Sequence, residues 1–431
     1  MRDSQAGERN RMKSDAGARF ELEKSLRYLV FSDDWGDHMS SSQHIFRHIA
    51  REHPVTWVNT IGMRNPKLTL RDARKAWRKL SRMCSRGAAR PKPPTDHAPR
   101  VKVCQPFMLP FAARRVVRAF NVASVTRALR REIGDLDRRT VVVTTVPNAG
   151  DYAELLRHAT VVYYCVDDFA LWPGHQAELV RDMEQRLIAR ADVLVAASPK
   201  LYERLAASGK PTVLLTHGVD VDLFTQPRTA HARLAGIPKP RAGFFGLIDA
   251  RLDERLIAEV AERMPDFSFV LSGPIELQLE TLARQPNVHF TGPIPYRELP
   301  SLVAALDVLF IPYSVGELGD TLSPLKLKEY LVTGKPIVST PISEARLRAP
   351  HVVTAASPEE WIRALRSALT EDPDTRRRAI LPAMEAESWA AKARTLLGVC
   401  ASAALTPLEP ASAGQRQGPE AAPTIGKREA D

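Results

Sequence analysis

The chain has 431 residues, 44% of them apolar and 26% charged, with a formal net charge of +11. That length fits two ordinary domains, each able to bury its own core. No apolar run approaches the ~20 residues of a membrane span, and Cys84, Cys104, Cys165 and Cys400 form no CxxC pair, which fits reduced thiols in the cytoplasm rather than a metal site.

Residues 1–24 are polar, lack the hydrophobic centre of a signal peptide, and read as disordered. Leu26 to Ser32 reads as the first strand, and Val55 to Val58 as the second. Between them, Ser40 to Ser42 can cap a helix that turns Ile45, Phe46 and Ile49 inward. The chain therefore opens as a βαβ unit. Asp34, Trp35, Asp37 and His38 occupy the loop after the first strand, where a parallel sheet binds ligands. His38 is a candidate catalytic residue by that position; the alternative is a solvated loop histidine.

Arg64 to Lys92 holds eleven Lys or Arg and one acid, Asp72. Within it Leu70, Ala73, Trp77, Leu80 and Cys84 recur at helical steps. Such a helix either packs its stripe on the domain or lies on an anionic membrane with Trp77 among the headgroups. Residues 86–100 are a Pro-rich loop, and Arg114 to Arg131 is a second basic stretch with an apolar stripe of Val117, Val125 and Leu129. The basic segments lack the interleaved aromatics that stack bases, which disfavours nucleic acid.

Val141 to Val146 and Val161 to Val166 read as buried strands. Asp167 and Asp168 follow the second directly, where a general base would be placed or where a helix would be capped. Helix and strand alternate onward to Thr212–Leu215, and His217-Gly218-Val219-Asp220 follows that strand. Residues 25–225 thus form an N-terminal domain, and the Pro-containing residues 226–241 a linker. A second alternation fills residues 242–380. Its strands end in turns: Gly246 after Phe245, then Ser272-Gly273-Pro274, then Thr291-Gly292-Pro293. Glycines at successive strand ends let a ligand approach the backbone. Residues 381–400 hold a last helix, and 401–431 read as a disordered tail.

Glu317 to Pro341 carries the most information. Val308 to Ile311 is a strand, a loop with Gly316 and Gly319 follows, Pro324 opens a helix, and Gly334 closes it before a strand at Ile337. The amides around Leu322 and Ser323 are placed for a phosphate at a helix start. Glu329, about one and a half turns into the helix, can accept hydrogen bonds from sugar hydroxyls.

The words Ser-Pro-Leu-Lys-x-x-Glu-Tyr-Leu and Gly-Lys-Pro-Ile-Val-Ser-Thr, with the earlier His-Gly-Val-Asp, resemble the GT-B glycosyltransferases of the retaining, glycogen-synthase-like superfamily (the group 1, or family 4, type). The resemblance implies two Rossmann-like domains around a cleft. It implies that Glu329 holds the ribose of a nucleotide-sugar and that Gly246, Ser272 and Gly273 line the donor cleft. Pro293 and Ile294 would lie against the base, and Arg251 or Lys326 on phosphate. It also implies that the helix at 381–400 returns to the N-terminal domain. Two positions depart from the pattern: Thr321 replaces a second Glu, and Leu247 replaces an Arg.

The expected function is transfer of a hexosyl group, with retention, from a nucleotide-diphosphate sugar to a glycan or lipid-linked acceptor in cell-envelope or exopolysaccharide synthesis. The donor half has no DxD-like run, so no metal is expected, and no cofactor beyond the donor substrate. Asp168 or Asp167 would serve the acceptor. The protein would be cytoplasmic, peripheral at the membrane through residues 64–92, with no nucleic-acid partner. The alternatives are a sugar-nucleotide epimerase or phosphorylase of the same fold, or a degenerate binding subunit.

Overall fold

The computed structural model describes residues 24–36, 39–60, 101–109, 114–172 and 174–405. His38, the basic segment 64–92, and the expectations placed on residues 1–23 and 406–431 lie outside the described residues.

The first sheet is made of β1 (Arg27–Ser32), β2 (Val55–Asn59), β3 (Val101–Cys104), β4 (Thr140–Thr144), β5 (Thr160–Cys165), β6 (Val193–Ala196) and β7 (Thr212–Leu214). Its order is β3-β2-β1-β4-β5-β6-β7, every pair parallel. The principal helices here are α1 (Ser41–Ile49), α2 (Arg115–Ile133), α3 (Ala177–Arg190) and α4 (Pro199–Ala206). β4 and β5 are buried along their whole length, as strands covered on both faces must be. Alternate residues feed two separate cores. Leu29 and Phe31 pack with Val142 and Tyr163, whereas Tyr28 and Val30 pack with Val141 and Val162.

The second sheet contains β8 (Arg241–Phe245), β9 (Ser268–Ser272), β10 (Val288–Phe290), β11 (Val308–Ile311), β12 (Ile337–Ser339) and β13 (Val353–Thr354), in the order β10-β9-β8-β11-β12-β13. It too is parallel throughout. The helices used below are α5 (Glu254–Arg263), α6 (Leu325–Thr333), α7 (Pro373–Ala386) and α8 (Trp389–Leu405). Strand order reverses between β1 and β4 and between β8 and β11. Each reversal opens a crevice at the carboxyl ends of the strands.

Three elements differ from expectation. β3 is a strand although no apolar run marks it; it is four residues long, at the sheet edge, with Lys102 and Val103 exposed. The loop after β11 contains a short helix, Glu317–Thr321. The last helix is two. α7 packs Ile380 and Met384 on the C-terminal core, and α8 packs Trp389, Leu396 and Cys400 on the N-terminal one. The chain breaks between them because Glu387 and Trp389 are taken by Val219: Val219 N–H donates to the Glu387 carbonyl at 3.0 Å, and Trp389 N–H to the Val219 carbonyl at 3.2 Å. The return to the N-terminal domain therefore starts at Trp389, not 381, and residues 401–405 continue α8 instead of belonging to a disordered tail.

Candidate functional site

The C-terminal wall of the cleft starts at two glycine turns. Gly246 has φ 130° and Gly273 φ 152°, states that side chains disfavour. Gly246 N–H donates to the Ser272 carbonyl at 2.9 Å. A Cβ on Gly273 would run into the Gly246 carbonyl oxygen, and one on Gly246 would lie 2.8 Å from Lys326 Nζ. The turns and the lysine therefore form one packed unit.

Lys326, in the first turn of α6, is buried. Its ammonium donates to the Tyr313 hydroxyl and sits 4.2 Å from the centre of the Phe244 ring. Burial lowers its pKa. Pro324 starts α6 with no side-chain cap, and Gly334 closes it in the left-handed conformation. Leu327 N–H closes back on the Pro324 carbonyl at 3.0 Å, and the Leu325 and Lys326 amides are left as donors. Glycine turns, a buried ammonium and helix-terminal amides together make a cradle for phosphate oxygens.

Glu329 lies three residues further along α6, also buried. Burial pushes its carboxyl up to about 7, with Tyr296 and Lys326 opposing the rise. The Tyr296 hydroxyl lies beside this carboxylate, and the Trp389 indole N–H lies beside Tyr296. A buried carboxylate with a phenol hydroxyl beside it is equipped to accept a ligand's hydroxyls. Leu322 and Ser323 are buried just before α6. The Ser198 hydroxyl donates to the Thr321 carbonyl at 3.2 Å and ties this loop to the N-terminal domain. Pro293 is pinned through its carbonyl by Arg233 at 2.7 Å, and Ile294 packs on the C-terminal core.

Across the cleft, Asp167 and Asp168 part company. Asp168 is 5% exposed. It accepts from Ala170 N–H at 3.2 Å and lies 3.6 Å from Arg204, which forks onto Glu184 at 2.7 and 3.0 Å. Its carboxylate is spent inside its own domain. Asp167 is half-buried. Burial pushes it up to about 7, and Arg251 of the other wall opposes the shift. Arg251 is gripped by Asp249 at 2.8 Å and lies over Trp172 at 5.2 Å and Tyr313 at 5.4 Å. It therefore reaches both walls, and Asp167 is the carboxylate it meets.

The base of the cleft is a charged knot. Lys328, 2% exposed, donates to Thr216 Oγ1 at 2.8 Å, to the His217 carbonyl and to Glu387. Lys392 donates to Glu387 at 2.9 Å. The two lysines hold the Glu387 carboxyl down at about 2 against the opposing effect of burial. His217 Nδ1 hydrogen-bonds the Ser41 hydroxyl at 2.6 Å. Burial and the two lysines lower its pKa to about 3, so the ring is neutral. Gly218 packs directly on Trp389.

The structure brings Gly246, Ser272, Gly273, Lys326 and Glu329 together, and sets Arg251 against Asp167. It keeps Asp168 apart. Sequence reasoning did not find Tyr296, Tyr313, Trp172, Lys328, Glu387 or Trp389. Only Lys328 carried a signal. α6 is buried from Lys326 to Thr333, and a lysine in so apolar a setting needs a partner. The others meet the site through tertiary packing alone.

Residues 249–371 match the family model described as Glycosyl transferases group 1. Bacillus subtilis TuaH, named as a teichuronic acid biosynthesis glycosyltransferase, is 30% identical over 236 residues, covering 50% of this chain and 59% of that protein. The chain thus spans less than two thirds of that relative's length. Salmonella typhimurium WcaL, named as a colanic acid biosynthesis glycosyltransferase, is 26% identical over 312 residues, covering 66% and 68%. Among solved structures, Anabaena HepE in complex with UDP and glucose superposes with a TM-score of 0.62 at 15% identity, over 88% of this chain and 100% of that one. A UDP-forming trehalose-phosphate synthase from Burkholderia xenovorans gives 0.60 at 14% identity, over 88% and 100%. The chain has the GT-B fold, and its residues 249–371 are similar to the Glycosyl transferases group 1 domain.

Proposed function

We propose that the protein is a glycosyltransferase that moves a hexosyl group from a nucleotide-diphosphate sugar to a glycan or lipid-linked acceptor in cell-envelope or exopolysaccharide synthesis, with retention and without a metal. The observation that carries the reading is Glu329: a buried carboxylate on the helix whose first turn meets the glycine cradle. The leaving diphosphate would sit on the Gly246–Gly273 turns, the amides of α6 and Lys326. Arg251 would supply a second cation from the rim. Such fixed donors stabilise developing charge without reorganising, which supports a metal-free reaction. The carboxylate would bind ribose hydroxyls, and Asp167 would face the acceptor. The names of the curated relatives support envelope or exopolysaccharide synthesis.

The test is a thermal shift against UDP, GDP, ADP and TDP in the presence of a chelator. One nucleotide, UDP placed first, should raise the melting temperature, since a ligand bound only by the folded state stabilises it. Failure of all four would sink the reading and leave the degenerate-subunit alternative. A requirement for a divalent cation in transfer would sink the metal-free part alone.

A further inference from the structure

The outer side of α2 is a face that the cleft does not use. Val116 is 82% exposed and Phe120 44%. Ala119 and Ala123 are exposed with them. These residues recur at three- and four-residue steps, so they line one side of the helix. Asn121, Val125 and Leu129 hold the opposite side on the sheet. Phe107, 38% exposed, meets Phe120 edge-on at 6.1 Å. Val103 of the edge strand β3 adds another exposed apolar side chain.

Cations frame these side chains. Arg114 and Arg115 open the helix, and Arg127, Arg130 and Arg131 continue its outer side, all exposed. Among the described residues, only Arg131 of the five has an ion pair, with Glu132 at 3.2 Å. The placement is also informative. Arg118 lies 3.7 Å from Asp151, just beyond the carboxyl end of β4. Leu109 N–H donates to Asn121 Oδ1 at 2.8 Å. The apolar half of α2 therefore lies at the carboxyl ends of the strands, the side on which the cleft opens, and the arginines at 127–131 lie behind it.

We propose that this face docks the protein on an anionic lipid bilayer, with Phe107, Val116 and Phe120 among the headgroups and the arginines on lipid phosphates. The inference deepens the proposed function and rests on it only for the location of the acceptor. A second copy of the chain is a poor occupant, because it would set arginines against arginines. A nucleic acid would engage the arginines but has no use for the apolar side chains. An anionic bilayer rewards both, through apolar insertion and through attraction of each basic residue.

The experiment is sedimentation of the full chain with phosphatidylglycerol-containing vesicles and with pure phosphatidylcholine vesicles, at low and high salt. Binding should favour the anionic vesicles. Replacing Arg127, Arg130 and Arg131 together with Gln should weaken it roughly a hundredfold, about fivefold for each charge. Val116→Ser with Phe120→Ser should weaken it about tenfold or more, at high salt as well as low. Phe120→Trp should retain binding, and its emission should be quenched by brominated anionic lipid. The proposal is overturned by equal binding to neutral vesicles, by no binding, or by an unquenched Trp at 120. It is also overturned if only Gln at Arg71, Arg74, Arg78 and Arg82 abolishes binding, or if the α2 variants lose DNA and keep vesicles. None of these readouts uses transfer. A chain that ignores every nucleotide yet docks through α2 would sink the proposed function and leave this inference standing.

Discussion

The two walls of the cleft share a plan and differ in materials. Both are carboxyl ends of a parallel sheet at a reversal of strand order. The C-terminal wall is backbone and one helix: two touching glycine turns, then Lys326 and Glu329 on α6. The two turns and Lys326 are held by one another and by Tyr313. The N-terminal wall presents loop residues, and its cleft-side carboxylate, Asp167, is half-buried beside Asp168, which is itself held by Arg204 and the Ala170 amide. The difference teaches where variation is cheap. A donor with an invariant diphosphate suits a rigid cradle, whereas acceptors differ and are met by loops held at one end.

The largest effect should come from the loop wall. With Asp167 as acceptor-side base, Asp167→Asn should lower kcat about 10²–10⁴-fold while nucleotide affinity stays within a few-fold. The base works ionised, and burial raises it to about 7. Turnover should therefore fall below about pH 7, and the variant should lose that limb. A pH–rate profile measured on both proteins decides; an intact acid limb in the variant removes Asp167 from the chemistry.

The rigid wall should break next. In Gly273→Ala the new methyl meets the Gly246 carbonyl, a backbone atom that cannot swing aside. The added strain of roughly 1–3 kcal/mol falls on both turns of the cradle. Calorimetry should show nucleotide binding weakened by about a hundredfold, with kcat recovering at saturating donor. Unchanged affinity would mean that the diphosphate does not use these turns.

Glu329→Gln should weaken nucleotide binding about tenfold to a hundredfold, the value of a charge-assisted hydrogen bond. It should also stabilise the free protein, with a sign that pH reveals. The folded state raises this carboxyl from 4.5 to about 7 and so holds the proton more tightly than the unfolded chain. Ionisation therefore costs stability. The penalty is absent below about pH 4.5, grows between 4.5 and 7, and is complete above 7. Melting curves should show the variant gaining more over the wild type at pH 8 than at pH 5. A destabilised variant at pH 8 would show that the carboxylate is paired in the free protein.

Much of this wall was visible in the sequence, because its parts are local. Pro324, Gly334 and the spacing of Lys326 and Glu329 define a helix and its cargo within eleven residues. Gly246 and Gly273 mark turns by being glycines after apolar runs. What stayed hidden was assembled from distant segments. Tyr296 reaches Glu329 and Trp389 reaches Tyr296 from different stretches, and Glu387 reaches Lys328 across fifty-nine positions. No local pattern encodes such meetings. β3 stayed hidden for another reason: an edge strand with two exposed residues shows no buried run. The Asp167-Asp168 pair could be placed at a strand end, but which one faces the cleft depended on Arg204, thirty-six residues beyond Asp168.

The smallest effect belongs to Asp168, and it is the sharpest check on the division between the two carboxylates. Asp168→Asn keeps the shape and a capping oxygen but loses the charge facing Arg204. Arg204 retains Glu184, so no cation is stranded. The loss should be about 1–2 kcal/mol, as for a weakened cap or a partly buried pair. In a chain with domains of this size that is roughly 2–8 °C in melting temperature. Turnover per folded molecule should stay within a few-fold, and the acid limb from Asp167 should remain. The double replacement Arg204→Lys with Asp168→Asn should cost less than the sum of the two, since both act on one contact. If Asp168→Asn instead cuts kcat as deeply as Asp167→Asn while the melting temperature holds, the roles are exchanged: Asp168 must then turn out of its cap when substrate binds, and Arg204 becomes the latch that releases it.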